Sequence, residues 1–136
     1  MTKYTKTDIK AQPILNQRRL FYIASAETDL EDLPKDVKEE FLAGLTIARS
    51  GGTPPDMKPW KGSGPGMYEL LEDHAGDTYR AVYTVRFKEA MYVLHVFKKK
   101  SRSGIKTPLP DVRKVEHRLK TAERHYEETF KAKNTR

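Results

Sequence analysis

The 136-residue chain contains no cysteine, and this absence is the first constraint on its chemistry. Disulfides and thiolate metal sites are excluded, which is typical of proteins in a reducing cytoplasm. No apolar run approaches the roughly 20 residues of a membrane-spanning helix, and the N-terminus lacks the apolar core of a signal peptide. We therefore expect a soluble, cytoplasmic protein with no membrane partner.

Motifs for cofactors, metals and common nucleophiles are also missing. No glycine-rich phosphate loop follows a predicted strand, and no serine lies in a recognisable nucleophile setting. The histidines are few and show no metal-ligand spacing: His74, His95, His117 and His125. We expect neither a metal nor a cofactor.

Acidic side chains are scarce in the second part of the chain. Residues 1–50 carry eight basic and eight acidic side chains, whereas residues 51–136 carry eighteen and eleven, so the whole net charge of +7 lies there. The segment from Lys98 to Lys106 has five basic residues and no acidic one. This asymmetry favours a polyanionic partner such as RNA or DNA. A solvated basic segment after a hairpin is the simpler alternative.

Hydrophobic periodicity predicts a small α+β domain. Apolar residues at helical spacing indicate one helix over 34–49 and another that contains Val112 to Tyr126. Residues 25–33, with Ser25 as the cap, indicate a short helix before them. Runs of β-branched and aromatic residues indicate strands. The predicted order is β-α-α-β-β-β-α around an antiparallel sheet of about four strands. We expect an N-terminal arm (1–17), the domain (18–130) and a basic tail (131–136).

Alternation within the two long strands assigns side chains to the faces of the sheet. On the first of them the predicted groups are Arg80, Val82, Thr84 and Arg86 on one face, and Tyr79, Ala81, Tyr83 and Val85 on the other. On the last strand the predicted groups are Tyr92, Leu94, Val96 and Lys98 on one face, and Met91, Val93, His95 and Phe97 on the other. Because both faces carry apolar residues, we expect helices on both.

Residues 53–66 contain four prolines and three glycines, which neither a helix nor an inner strand tolerates. Lys58, Trp60 and Lys61 give this predicted loop two cations around the only tryptophan. Such a loop can clamp or stack on a base. Alternatively, Trp60 folds back to cover the core.

Cleavage of RNA without a metal requires a base for the 2′-OH, cations for the extra charge at phosphorus and an acid for the leaving 5′-oxygen. Arg80 and the run Lys98–Lys100 are candidates for the cations, and Arg102 and Lys106 extend the basic segment. Tyr68, Glu69 and His95 are candidate proton carriers. His95 lies in an apolar strand, so a core histidine is its alternative role.

Four motifs occur in register with the predicted elements: Met67-Tyr68-Glu69-Leu70, Tyr79-Arg80-Ala81-Val82-Tyr83, Leu94 to Lys100, and Thr107-Pro108. Together they resemble the RelE/HigB family of toxins, within the RelE/ParE superfamily, and are most similar to its phage-derived branch. The resemblance covers about residues 18–127.

The resemblance implies a toxin of a toxin–antitoxin pair that cleaves mRNA on the ribosome as a metal-independent endoribonuclease. It also implies an antitoxin partner that commonly has a helix-turn-helix DNA-binding domain. By position, Arg80 matches the phosphate-binding arginine, and Lys98, Lys99 and Lys100 match the basic cluster after the last strand. Lys58 and Lys61 lie near the family's basic loop residues.

The chain departs from the family pattern at the proton carriers. Many relatives have Arg directly after Glu-Leu, where this chain has Leu71 and Glu72, and residues 100–110 contain no Tyr or His. The same fold also serves relatives that inhibit DNA gyrase. The alternatives are therefore a gyrase-inhibiting toxin without nuclease activity and a phage-derived nucleic-acid-binding accessory protein.

Overall fold

The computed structural model describes residues 17–99 and 107–131. Within these ranges one sheet carries helices on both faces, so the prediction of a small α+β fold is confirmed. The predicted arm except Gln17, and the tail except Lys131, lie outside the described residues, as do Lys100, Arg102 and Lys106. The division into arm, domain and tail stays a prediction.

Three helices form where apolar residues recur at helical spacing. They are α1 (Ala26–Glu31), α2 (Lys35–Arg49) and α3 (Leu109–Tyr126), and α3 continues into a π-helical turn (Glu127–Lys131). The apolar stripe of α2 is buried as predicted, and so is most of the stripe of α3. Among the described residues, no helix combines the length and apolarity that crossing a membrane requires.

The sheet has five strands rather than about four, in the order β1-β5-β4-β3-β2. The strands are β1 (Arg19–Tyr22), β2 (Met57–Pro59), β3 (Met67–His74), β4 (Asp77–Thr84) and β5 (Ala90–Lys99). The extra strand, β2, lies in the proline-rich segment that was predicted to be a loop. It has only three residues and lies at the edge of the sheet. An edge strand tolerates Pro59, because the missing N–H does not interrupt hydrogen bonding between inner strands.

The sheet is also mixed rather than purely antiparallel. β1 runs parallel to β5, with Arg19 opposite Ala90, while the other neighbouring strands pair antiparallel. After β1 the chain passes through α1 and α2 to β2 at the opposite edge, and it returns through β3 and β4 to β5. A connection of this length allows β1 and β5 to pair in parallel. β1 therefore lies at one edge of the sheet beside β5, an inner strand.

Two apolar cores lie on opposite faces of the sheet. One packs α1 and α2 against a face that includes Tyr79, Ala81 and Tyr83, and the other packs α3 against the face of Val82. The prediction that helices cover both faces is therefore confirmed. We call the second face the α3 face of the sheet.

A β-bulge at Leu94 changes which side chains of β5 reach the α3 face. Tyr83 pairs with Val93 and Val82 pairs with His95, so Leu94 is the extra residue. The predicted alternation is therefore wrong beyond the bulge, because His95 and Phe97 share the α3 face with Leu94, and Val96 packs in the opposite core. The same shift moves Lys99 to the α3 face and Lys98 away from it.

The turn into β3 depends on Gly66, which has a positive φ of 77°. A Cβ built there would lie 2.9 Å from the Cα of Arg86, whose backbone follows the end of β4. The carbonyl of Gly66 accepts hydrogen bonds from the N–H of Val85 and the hydroxyl of Thr84, both at 2.9 Å. Close approach of two backbones therefore requires glycine here.

We expect Gly66→Ala to lower the free energy of unfolding by about 2 kcal/mol more than Gly62→Ala. Both glycines have a positive φ, but nothing lies within 4 Å of the Cβ position at Gly62, so the pair of variants separates the clash from the φ strain. Chemical denaturation of the two variants measures the difference. Equal losses would contradict the clash.

Candidate functional site

Four charged side chains meet on the α3 face near the start of α3. We call Lys58, Glu69, Arg80 and Lys99 the Arg80 cluster. Lys58 of β2 lies directly opposite Glu69 of β3, and the bulge in β5 brings Lys99 to the same face. Four strands therefore contribute one side chain each, so this set forms only when β2, β3, β4 and β5 have paired.

The Arg80 guanidinium bridges the sheet and the segment before α3. Its Nη1 donates to Glu69 Oε1 at 3.0 Å and to Thr107 Oγ1 at 3.3 Å. Both side chains of the ion pair are mostly buried, with exposed fractions of 11% for Arg80 and 10% for Glu69. Arg80 is thus both the best-held cation of the cluster and the contact that ties the loop before α3 to β4.

Burial changes the proton affinity of both neighbours of Arg80. Burial raises the pKa of the Glu69 carboxyl, although the positive charge of Arg80 opposes this shift. Burial and the adjacent Arg80 lower the pKa of the Lys99 ammonium, and Glu69 opposes that shift. A carboxylate that binds a proton more readily therefore lies beside an amine that releases one more readily, which is suited to proton transfer.

The cluster also has unsatisfied hydrogen-bond donors. Arg80 Nε and Lys99 Nζ are buried without a partner among the residues that the structure describes. Three cations surround one carboxylate, so the cluster has an excess of positive charge. An anion such as a phosphodiester would supply both the acceptors and the countercharge.

His95 lies beside the cluster but is held on both ring nitrogens. Its Nε2 is 2.7 Å from Asp111 Oδ1, and Arg118 Nη1 lies 3.3 Å from Nδ1. Because the guanidinium is only a donor, Nδ1 accepts and Nε2 carries the proton that it donates to Asp111. Burial lowers the pKa of His95, and Asp111 opposes that shift only in part, so the environment favours the neutral ring.

This arrangement fits the alternative of a core histidine. The ring stacks on Phe97, with centroids 4.5 Å apart, and its bond to Asp111 fastens the first turn of α3 to β5. The N-cap residue of α3 is Pro108, and Asp111 lies in the first turn of the helix, where it binds His95. Proton transfer by His95 itself stays a prediction.

The structure does not bring all the predicted site residues together. Tyr68 lies on the opposite face, paired with Tyr83 and lining a cavity of about 190 Å³. Lys98 also points away from the α3 face, is exposed, and has its Nζ 3.6 Å from Asp77 Oδ2. Neither side chain contacts the Arg80 cluster, so each would act at a separate surface.

In the proline-rich segment the structure separates the tryptophan from its neighbouring lysines. Trp60 is 6% exposed and packs in the α3-side core, which matches the interpretation that it covers the core. Lys58 and Lys61 are exposed. Of these three, Lys58 is the one that joins the cluster, because it shares the face of Glu69.

Three polar residues near the cluster were not predicted as site residues. Thr107 accepts from Arg80, Asp111 accepts from His95, and Arg118 donates to His95 and to the carbonyl of Leu94 at 3.0 Å. Thr107 was part of a resembling motif, which was a usable signal. The contacts of Asp111 and Arg118 depend on how α3 lies across the sheet, and no local pattern encodes that.

A group of carboxylates lies away from the cluster, where α2 faces the β2–β3 edge. Glu40, Asp56 and Glu72 have oxygens within 4.8 Å of one another. Burial and the neighbouring Asp56 raise the pKa of Glu72 to about 7. Since exposed carboxylates often cluster without a ligand, this geometry alone does not identify a metal site.

One family model matches the chain, that of the phage-derived protein Gp49-like family (DUF891), over residues 28–120. The match spans more than half of the chain and contains all four residues of the Arg80 cluster. A search of curated proteins finds no match.

The raised pKa of Glu72 predicts a pH-dependent stability. The folded protein binds this proton more tightly than the unfolded chain, so the contribution of Glu72 to stability falls as pH rises from about 4.5 to 7. We expect Glu72→Gln to melt at a higher temperature than the parent at pH 8, and the gain to vanish near pH 4.5. Glu39→Gln, at an exposed carboxylate of α2, is the control. A gain that is equal at both pH values would contradict the shift.

The buried Arg80–Glu69 pair makes a second prediction. Arg80→Ala strands the Glu69 carboxylate and should cost about 3 kcal/mol of unfolding free energy. Arg80→Ala/Glu69→Gln removes the stranded charge and should recover more than half of that loss. Urea denaturation of the single and double variants measures both values. A double variant no more stable than Arg80→Ala would show that the pair is not coupled.

Proposed function

The chain belongs to the phage-derived Gp49-like family, a toxin-like family, and from that premise we propose that it inhibits translation by cleaving mRNA on the ribosome. The observation that carries the proposal is the Arg80 cluster, in which three cations surround a buried carboxylate of raised pKa. The sign of the charge fits a phosphodiester, and the shifted proton affinities fit acid–base chemistry on it.

In the proposed reaction the Glu69 carboxylate removes the proton of a 2′-OH, whose oxygen attacks the adjacent phosphorus. The bond from phosphorus to the 5′-oxygen breaks, and the Lys99 ammonium supplies the proton to that leaving oxygen. The products are a 2′,3′-cyclic phosphate and a 5′-hydroxyl. Arg80 and Lys58 stabilise the additional negative charge at phosphorus while the 2′-oxygen bonds to it and the 5′-oxygen leaves.

Substrate binding also explains how Glu69 becomes available as a base. In the unliganded site Arg80 donates to Glu69, which stabilises the carboxylate but occupies one of its oxygens. A phosphate that enters the cluster competes for the guanidinium, which has five N–H donors, and satisfies Arg80 Nε and Lys99 Nζ. Arg80 then shifts toward the phosphate, and the Glu69 oxygen is freed for the 2′-OH.

The expected partners follow from the same proposal. Messenger RNA in the ribosome is the substrate, and an antitoxin, with a helix-turn-helix DNA-binding domain as the resemblance implies, would neutralise the toxin. Expression of the chain alone should arrest growth, and co-expression with the adjacent gene should restore it. No arrest at any expression level would favour the accessory-protein alternative.

A toxin of this fold that inhibits DNA gyrase is the competing function. It is favoured by the absence of Tyr and His from residues 100–110, where several relatives place a residue that acts in cleavage. Intact transcripts during growth arrest, together with loss of supercoiling by purified gyrase, would support it. Normal supercoiling at saturating protein would eliminate it.

The two adjacent lysines at the end of β5 provide a matched test of the site. Lys99→Met removes the proposed acid and should lower the rate of mRNA cleavage by at least about 100-fold. It should leave the melting temperature unchanged or higher, because a buried amine without a partner among the described residues is replaced by an apolar side chain of similar length.

Lys98→Met is the control, because Lys98 is exposed on the opposite face and forms only a surface ion pair with Asp77. It should retain cleavage within a few fold of the parent. Equal loss in the two variants, or a greater loss in Lys98→Met, would remove Lys99 from the proposed mechanism.

A further inference from the structure

A groove of about 500 Å³ runs between the end of β1 and the outer side of α3. We call it the α3 groove, and it shares no residue with the Arg80 cluster. It is lined by Ile23, Ala24, Arg113, Lys114, His117, Arg118 and Thr121.

The groove combines an apolar floor with a basic rim. Ala24 is exposed after β1, and Ile23, a core residue that is 8% exposed, closes the floor beside it. Arg113 and Lys114 are exposed cations of α3. No carboxylate is found among the described residues that line it. The rim therefore carries positive charge that is not balanced within the groove.

One rim cation is held in place before any partner binds. Arg118 Nη1 donates to the carbonyl of Leu94 at 3.0 Å, and its Nη2 donates to Ser25 Oγ at 3.3 Å. These bonds restrict the guanidinium to one orientation at the inner end of the groove. Binding a carboxylate would therefore cost Arg118 less side-chain entropy than it would cost an arginine that rotates freely at the surface.

We propose that the α3 groove is a docking surface for an acidic, amphipathic segment of a protein partner. Apolar side chains of the segment would cover Ile23 and Ala24, and its carboxylates would pair with Arg113, Lys114 and Arg118. The cationic rim indicates an acidic partner, and the apolar floor indicates a polypeptide that can present apolar side chains.

Single-stranded RNA fits the groove less well. Nonspecific RNA binding typically combines cations with aromatic rings on which bases stack. Ile23 and Ala24 form the floor of the α3 groove, and among the described residues that line it the one ring is the imidazole of His117. RNA binding at the same place is therefore an outcome that the test must distinguish.

The probe is a fluorescein-labelled synthetic helix with Leu at positions i, i+3, i+4 and i+7 and Glu elsewhere. We compare it with the same peptide carrying Lys for Glu, and with a labelled uridine oligonucleotide. Fluorescence anisotropy gives each affinity. Amide shifts in NMR spectra locate the bound peptide, which should perturb Ala24, His117 and Thr121.

The test variant Arg113→Glu/Lys114→Glu should weaken binding of the acidic peptide by about tenfold or more, because two attractive contacts become repulsive. The control Lys120→Glu/Arg124→Glu changes the charge equally, at exposed positions of α3 that do not line the groove. It should weaken binding much less.

Thr121→Trp gives an independent variant, because it fills the groove without changing its charge, and it should also weaken binding of the acidic peptide. A melting curve verifies that each variant is folded. The proposal is overturned if the parent does not bind the acidic peptide, if the two charge-reversal variants lose affinity equally, or if the oligonucleotide binds in the groove more tightly than the peptide. Because the assay measures binding directly, its result is independent of whether the protein cleaves mRNA.

Discussion

One extra residue in the inner strand β5 determines which cations belong to the candidate site. Without the bulge at Leu94, strict alternation would carry Lys98 to the α3 face and Lys99 to the other. With it, Lys99 joins Arg80 and Glu69 while Lys98 lies on the opposite face. The same bulge brings His95 against α3, where Asp111 fixes the first turn of the helix and thus the segment that contains Thr107.

Burial and charge act together in the Arg80 cluster. Glu69 is buried enough to raise its pKa even beside Arg80, and Lys99 is buried beside like charges that make its proton easier to lose. Burial disfavours the charged form of both groups. The packing of the sheet against α3 must offset this desolvation cost. Such a cost is typical of sites where function rather than stability selects the residues.

The sequence predicts what depends on local pattern and misses what depends on pairing register. The stripe of α2, with Val37, Phe41 and Leu45, was predicted because helical spacing is a property of one segment. Arg80 and Glu69 were predicted as candidate site residues because each lies in a motif that resembles the toxin family. The parallel pairing of β1, the edge strand at Pro59 and the bulge that exchanges Lys98 for Lys99 were not, because each arises from contacts between distant segments. Tyr68 was grouped with Glu69 although adjacent strand residues face opposite ways.

The Arg80 cluster is proposed to transfer the phosphoryl group of RNA from the 5′-oxygen to the 2′-oxygen, with Glu69 and Lys99 moving the protons. The most direct measurement is the end chemistry of mRNA isolated from ribosomes translating in the presence of the purified protein. The account predicts fragments with 5′-hydroxyl and 2′,3′-cyclic phosphate ends that do not form with the Lys99→Met variant. Intact mRNA on arrested ribosomes, or fragments with 5′-phosphate ends, would contradict it.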